Sequence, residues 1–172
     1  MFYSHRYLVQ SWKGKNYIPD VKDKELSELV KSKKIQATND FNKLSEVDII
    51  VIAVPTPLKK NLIPDLSYIK SATKSIAKNL KKNHLVSLES TTYPGTTEEV
   101  MLPILENSGL KAEEDFYLAY SPEREDPGNP NYVTANIPKV VGGDGPEALE
   151  IAAALYGQIV VETVPVSSMD VA

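Results

Sequence analysis

Cysteine is absent from this 172-residue chain, and histidine occurs only twice. Without a thiol, the chain can form no disulfide, no thiolate metal site and no cysteine nucleophile. His5 and His84 lie far apart in the sequence and indicate neither a metal-binding pair nor a catalytic couple. We expect His84, which precedes an apolar run, to be a surface residue at an element boundary. The sequence therefore predicts no metal site.

Long apolar runs and an excess of positive charge are also missing. No run approaches the ~20 residues that span a bilayer, and residues 1–10 lack the apolar core of a signal peptide. The formal net charge is −4, which gives no electrostatic reason to expect nucleic acid or anionic lipid as a partner. We expect a cytoplasmic protein of one-domain size, without a membrane partner.

Apolar runs alternate with helical patterns along the chain. The predicted strands are Ile35–Thr38, Val47–Val54, Leu85–Leu88, Phe116–Tyr120, Pro138–Val141 and Ile159–Val164. The predicted helices are Asp23–Lys31, a turn through Leu44, residues 65–80, Thr97–Asn107 and Pro146–Tyr156. Strands alternating with helices predict a doubly wound parallel α/β sheet with helices on both faces. The strongest strands are apolar throughout, as strands buried on both faces should be.

Rigid polar loops follow three of these strands. They are Pro55–Pro57, Glu89–Thr97 and Ser121–Asn129. Ligands of an open parallel sheet bind beyond the carboxyl ends of its strands, so we expect Thr56, Thr91 and Glu123 to lie at the same edge. An ordinary turn followed by threonine helix caps explains Glu89–Thr97 equally well by itself. Its recurrence after three strands favours a binding site.

One glycine-containing segment formally matches the dinucleotide fingerprint G-x-G-x-x-G/A. It is Gly143–Ala148, which lies between a predicted strand and a helix, and Glu162 follows where a ribose-binding acid belongs. Pyrophosphate binding needs free N–H groups at the helix N-terminus, and Pro146 removes one of them. Asp144 would add a carboxylate beside the phosphates. A turn with proline at the first helical position explains these residues without a ligand.

Several segments, taken in order and spacing, resemble the UDP-glucose/GDP-mannose dehydrogenase family of nucleotide-sugar 6-dehydrogenases. They are Asn16–Asp20, Val54–Leu58, Glu89–Thr97, Ser121–Asn129, Ala135–Gly143 and Val160–Ser168. The loops are more similar to those of UDP-N-acetylhexosamine 6-dehydrogenases than to those of UDP-glucose dehydrogenases. The resemblance implies NAD-dependent oxidation of the C6 alcohol of a UDP-sugar to a carboxylate, in the synthesis of polysaccharide precursors.

The resemblance also implies roles for residues of the three loops. Thr91 would hold the hydrolytic water near the nicotinamide, and Glu123 would assist proton transfer and hydrolysis of a thioester intermediate; these two are the predicted catalytic residues. The predicted cofactor-binding residues are Val54, Pro55, Thr56, Ser90 and Thr91. Simple salt-bridged loop residues are an equally good interpretation of Arg124–Asp126.

The chain also departs from the family pattern. A member should begin with a strand and a G-x-G-x-x-G turn, and none precedes Lys13. We therefore expect an internal fragment, with a partial Rossmann-like doubly wound parallel sheet that lacks the first strand–helix–strand unit. Residues 1–12 would be an irregular segment, 13–165 an incomplete NAD-binding domain and 166–172 the start of the inter-domain helix.

The missing parts bear on activity. The catalytic cysteine and the sugar-binding domain of the family have no counterpart in the chain, so we expect the chain alone to be inactive. Loss of a central strand would leave unpaired edges, which invite association. Catalysis would then need a companion chain. The alternative is a non-catalytic remnant, or a helper subunit that pairs with a full-length relative.

Overall fold

The computed structural model describes residues 22–60, 62–123 and 134–172. The predicted turn Asn16–Asp20, the segment 1–12 and the loop residues Arg124–Asp126 lie outside the described residues. The chain divides into two compact units, Met1–Phe41 and Asn42–Ala172. In the described part of the chain, every helix is too short or too polar to traverse a lipid bilayer.

The described part of the first unit contains helix α1, Asp23–Lys31. Acidic residues occupy its first turn and Lys31 its last, which complements the helix dipole. The strand predicted at Ile35–Thr38 is wrong, because residues 35–40 form no regular element. Ile35 is 40% exposed, so this segment has no buried face of the kind that a strand needs.

The second unit is built on a five-stranded sheet in the order β1-β2-β3-β4-β5. The strands are β1 Ile49–Ile52, β2 Leu85–Leu88, β3 Tyr117–Tyr120, β4 Lys139–Gly143 and β5 Thr163–Pro165. A 3-10 turn, Phe41–Glu46, begins at the last residue of the first unit. The other helices are α2 Ser67–Ala77, a π-helical segment Thr96–Met101 that continues into α3 Leu102–Glu106, a 3-10 turn Thr134–Asn136 and α4 Pro146–Tyr156. The fold is a mixed α/β, Rossmann-like domain, which confirms the predicted fold class.

Strand directions agree with the prediction at three of the four pairings. β1 with β2, β2 with β3 and β4 with β5 are parallel. The pair β3–β4 is antiparallel, with Ala119 opposite Gly143 and Tyr120 opposite Gly142. The expectation of a parallel strand at Pro138–Val141 is therefore wrong in direction. As a consequence, the end of β4 lies beside the end of β3, and β4 begins beyond it, next to the segment that follows β3.

Helices cover both faces of the sheet, as predicted. One face packs against α2, the π-helical segment and α3, with Ile50, Ile52, Val86, Leu88 and Leu118 contributed by the strands. The other face packs against α4 and buries Leu85, Ala119 and Val141. Alternating residues of β2 and β3 thus enter different cores, as the two-residue period of a strand requires.

Two further expectations need correction. The last strand begins at Thr163 rather than Ile159, because residues 157–159 form a turn after α4. His84 is buried rather than superficial. Its Nδ1 accepts the Lys81 N–H at 3.3 Å and its Nε2 lies 2.9 Å from the Val47 carbonyl oxygen. The ring thereby joins the segments that lead into β1 and β2.

Candidate functional site at the carboxyl edge of the sheet

The carboxyl ends of β1 and β2 are tied together by side chains from the predicted cofactor-binding set. The Ser90 hydroxyl accepts the Val54 N–H at 2.8 Å, and the Thr56 hydroxyl donates to the Thr91 carbonyl at 2.6 Å. The Glu89 N–H donates to the Ile52 carbonyl at 2.9 Å. Ser90 is buried, whereas Thr91 and Pro55 are exposed. The loops after these strands therefore form one surface at this edge.

The end of β3 joins the same surface. The Ser121 N–H donates to the Leu88 carbonyl at 3.0 Å, and the Glu123 N–H donates to the Glu89 carbonyl at 3.3 Å. The Ser121 hydroxyl donates to the Val140 carbonyl at 2.7 Å, which connects the loop to β4. Thr56, Thr91 and Glu123 thus lie at the same edge, with Glu123 exposed. We call the surface formed by residues 54–56, 89–91 and 121–123 the carboxyl edge.

The threonine-rich loop after β2 makes a sharp turn at Gly95. Its φ of 89° favours glycine, and its N–H donates to the Asp170 carboxylate at 2.7 Å. The Thr92 and Thr96 hydroxyls are 2.6 Å apart. A cavity of about 290 Å³ opens here, lined by residues 92–97, Tyr120 and 169–172. Burial raises the pKa of the Tyr120 hydroxyl, so this group remains a neutral donor at physiological pH.

A polar cluster of Ser87, Glu89, Lys139 and Tyr156 adjoins the carboxyl edge on the α4 face of the sheet; Ser87, Lys139 and Tyr156 are buried and Glu89 is half-buried. The Lys139 ammonium is 3.8 Å from the Glu89 carboxylate and 4.9 Å from the centre of the Tyr156 ring. The Tyr156 hydroxyl is 2.8 Å from the Ser87 hydroxyl. Burial, above all other causes, raises the pKa of Tyr156, with the negative charges of Glu89 and Glu123 contributing.

Sequence reasoning missed this cluster, although one signal was present. Ser87 interrupts an otherwise apolar strand that is buried on both faces. A buried hydroxyl requires a hydrogen-bond partner, so the serine indicates a polar residue on the element packed above it. The role of Lys139 had no comparable signal, because its position depends on the antiparallel direction of β4.

The N-terminus of α4, where the fingerprint-like segment lies, is already occupied by a protein carboxylate. Glu113 accepts the Ala148 N–H at 3.0 Å. A Cβ added to Gly145 would meet the Glu113 carboxylate, which would have to shift. Burial raises the pKa of the nearby Asp144 carboxyl, and the negative charges of Glu113 and Glu106 add to the effect. The interpretation as a structural turn accounts for this geometry without a phosphate.

The described residues contain no candidate metal site. Among residues 22–60, 62–123 and 134–172, no group of three or more His, Cys, Asp or Glu side chains is placed to hold an ion. The chemistry available at the carboxyl edge is therefore that of hydroxyls, backbone groups and the carboxylates of Glu123 and of Glu89, the latter paired with Lys139.

Comparison with known proteins links this geometry to one family. Residues 8–160 match the UDP-glucose/GDP-mannose dehydrogenase family, NAD binding domain. The chain is 39% identical over 137 residues to the UDP-N-acetyl-D-glucosamine 6-dehydrogenase of Pseudomonas aeruginosa, covering 79% of this chain and 32% of that protein. It is 36% identical to the UDP-N-acetyl-D-mannosamine dehydrogenase of Pyrococcus horikoshii, covering 80% of this chain and 33% of the relative.

A solved structure shows the same fold. The crystal structure of NDP-N-acetyl-D-galactosaminuronic acid dehydrogenase from Methanosarcina mazei superposes with a TM-score of 0.87 at 31% identity. The superposition covers 95% of this chain and 36% of that one. The chain thus spans about a third of the length of the curated relatives it matches. What it has in common with them is the region of the NAD-binding domain.

Proposed function

The chain belongs to the UDP-glucose/GDP-mannose dehydrogenase family of NAD-dependent nucleotide-sugar dehydrogenases, and from this premise we propose that it forms part of the NAD site of an enzyme that oxidises a UDP-sugar at C6. One observation carries the proposal. The loops after β1, β2 and β3 are hydrogen-bonded into a single polar surface at the carboxyl edge. This is where ligands of open α/β sheets bind.

The residues of the carboxyl edge fit the nicotinamide end of NAD, which serves as the hydride acceptor when bound. Val54, Pro55 and Thr56 would contact the cofactor at the end of β1, and Ser90 and Thr91 at the end of β2. Ser90 is buried and holds the Val54 amide, so it fixes the backbone that the cofactor meets. The Thr56 hydroxyl does the same for Thr91. In the described residues, the α4 N-terminus does not fit pyrophosphate, because Glu113 already accepts its Ala148 amide.

Thr91 and Glu123 are the proposed catalytic residues. Thr91 is exposed directly beyond β2, where its hydroxyl can hold a water molecule against the reacting carbon. Glu123 is also exposed, and its N–H donates to the Glu89 carbonyl. A carboxylate in that position can accept a proton from the sugar hydroxyl or from water. Both residues follow the carboxyl ends of parallel neighbouring strands, which puts them at the same edge of the sheet.

The second oxidation, from aldehyde to acid, needs a nucleophile that this chain does not contain. The family route forms a thiohemiacetal, and the 172 residues include no cysteine. We therefore propose that turnover requires residues outside this chain, supplied by a companion polypeptide or by further chain. The same absence favours, as a second candidate, a non-catalytic helper that pairs with a complete relative.

Two measurements on the purified chain test the proposal. We expect NADH to bind, detected by its fluorescence, and Thr56→Val to weaken this binding because the Thr91 carbonyl loses its partner. Thr73→Val, which removes a buried hydroxyl in α2, is the matched control and should leave binding unchanged. We also expect no turnover of UDP-N-acetylhexosamines with NAD.

Either of two results would contradict the proposal. Turnover by the chain alone would show that its own residues suffice. Equally strong NADH binding by the wild type and by Thr56→Val would show that the carboxyl edge is not part of the cofactor site. Activity regained on adding a cysteine-containing companion polypeptide would favour the enzyme over the helper.

A further inference from the structure

The polar cluster of Ser87, Glu89, Lys139 and Tyr156 is unusual for its location. It occupies the layer between the sheet and α4, which otherwise consists of apolar side chains such as Leu85, Ala119 and Val141. Lys139 is only 7% exposed, and a lysine is seldom buried to this extent unless it is paired. Its partner, Glu89, is the residue immediately before Ser90 and Thr91. Because an ion pair removed from water contributes little net stability by itself, stability alone does not explain why the Glu89–Lys139 pair lies here.

The antiparallel direction of β4 explains how Lys139 reaches this position. Lys139 is the first residue of β4, and a parallel strand would place its first residue at the opposite edge of the sheet. The register pairs Tyr120 with Gly142 and Ala119 with Gly143. Extending that register three residues beyond Tyr120 brings Glu123 opposite Lys139. The lysine therefore stands beside the segment that follows β3, and its ammonium reaches the Glu89 carboxylate after β2.

Glu89 connects the cluster to both proposed catalytic residues. Its carboxylate pairs with Lys139. Its carbonyl accepts the Glu123 N–H, and its own N–H donates to the Ile52 carbonyl of β1. Residue 91, two positions further, has its carbonyl held by Thr56. Any rotation of the Glu89 backbone would thus move the attachment points of Thr91 and Glu123 together.

We propose that Lys139 is a positioning residue, which fixes the half-buried Glu89 by an ion pair and thereby sets the relative placement of Thr91 and Glu123. The catalytic role of this placement rests on the proposed function, whereas the ion pair and the hydrogen bonds are there whether or not that function is correct. Tyr156 supports the ammonium through its ring and anchors the cluster on Ser87. The effect of Lys139 on the site is exerted through Glu89 and needs no contact with substrate.

Amide hydrogen exchange measured by NMR on the full chain tests this inference. The reporter is the Glu123 N–H at the carboxyl end of β3, and the internal reference is the Tyr117 N–H at the other end of the same strand, which donates to the His84 carbonyl at 2.8 Å. The variants are Lys139→Met, Lys139→Arg and the double variant Glu89→Gln with Lys139→Met. The double variant leaves no lone buried charge, so it folds even if the single Lys139→Met variant does not.

The matched control is Lys82→Met. It breaks the Lys82–Asp115 pair, whose atoms are 2.7 Å apart and which joins the segments leading into β2 and β3 at the opposite edge. We expect the double variant to accelerate exchange at Glu123 by about tenfold relative to Tyr117, as local opening would. Lys139→Arg should preserve protection, and Lys82→Met should leave the Glu123 ratio unchanged.

Two outcomes would overturn the inference. Equal acceleration at Glu123 and Tyr117 would mean that the pair supports the whole fold rather than the site. Unchanged exchange at Glu123 in the double variant would mean that the pair does not hold the site at all. Because the measurement uses neither NAD nor substrate, its result is independent of whether the proposed function is correct.

Discussion

Strands β1 and β2 are neighbours of equal length in parallel register, yet their surroundings differ. All four residues of β2 are buried, whereas in β1 burial alternates between exposed and buried positions. Ile49 and Val51 are 41% and 45% exposed, although they are as apolar as their buried neighbours. The face of β2 that packs on α4 carries Ser87, and the corresponding face of β1 carries these two aliphatic residues.

The difference shows how far each helical layer extends. Helices α2 and α3 cover β1 and β2 alike on one face, while α4 covers β2, β3 and β4 but leaves Ile49 and Val51 exposed on the other. The carboxyl edge spans both regions. The loop after β2 is held by the Glu89–Lys139 ion pair and by hydrogen bonds to the segments after β1 and β3. We therefore expect it to be the most rigid part of the carboxyl edge.

Truncation of one aliphatic side chain in each strand would test the contrast most strongly. Leu88→Ala, in β2, should lower the free energy of unfolding by about 2–5 kcal/mol, since the side chain is wholly buried. Ile49→Ala, in β1, should cost about 1 kcal/mol or less because much of the side chain remains in water. Urea denaturation measures both, and equal losses would contradict the contrast.

Removing the hydroxyl of Tyr156 tests the polar contact on the α4 face of β2. Tyr156→Phe should cost about 1–3 kcal/mol, because the buried Ser87 hydroxyl loses its partner. The cost should be smaller in a Ser87→Ala background, which a double-mutant cycle measures. Tyr68→Phe in α2, where the ring is 40% exposed, is the control and should change stability by about 0.5 kcal/mol or less. Additive effects of Tyr156→Phe and Ser87→Ala on the free energy of unfolding would contradict a stabilising contact between the two hydroxyls.

His84, which joins the segments that lead into β1 and β2, should make the free energy of unfolding depend on pH. Burial lowers the pKa of His84 below its ordinary value of 6.5, against an opposing hydrogen bond to Val47. The unfolded state then binds more protons as pH falls through about 6.5, so stability decreases on acidification and is constant above about pH 7. One such group gives a slope of at most about 1.4 kcal/mol per pH unit. His84→Gln should flatten the profile between about pH 5.5 and about pH 7, and an unchanged slope would contradict this assignment.

Much of the fold was predictable because its signals are local. The apolar runs of β1 and β2 and the helical pattern of α4 fix those elements without tertiary information, and their alternation indicates the parallel core. The polar loops after β1, β2 and β3 indicated the carboxyl edge for the same reason. Their assigned roles remain predictions.

The direction of β4 was harder to predict, since strand composition does not encode it. One signal lay in the connection from Tyr120 to Lys139, which contains prolines at 122, 127, 130 and 138 and no helical period. Parallel neighbours usually need a crossover helix, which such a segment disfavours. The burial of His84 likewise depends on two turns meeting in space, and no spacing in the sequence reveals that.

The central claim, that NAD is bound by the loops beyond β1–β3, is tested most directly by amide chemical-shift mapping during a titration of the chain with NAD. The account predicts shifts at Thr56, Thr91 and Glu123, with none at Gly145 or Ala148 in the fingerprint-like segment. Shifts confined to Gly145 and Ala148, with the carboxyl edge unaffected, would contradict it.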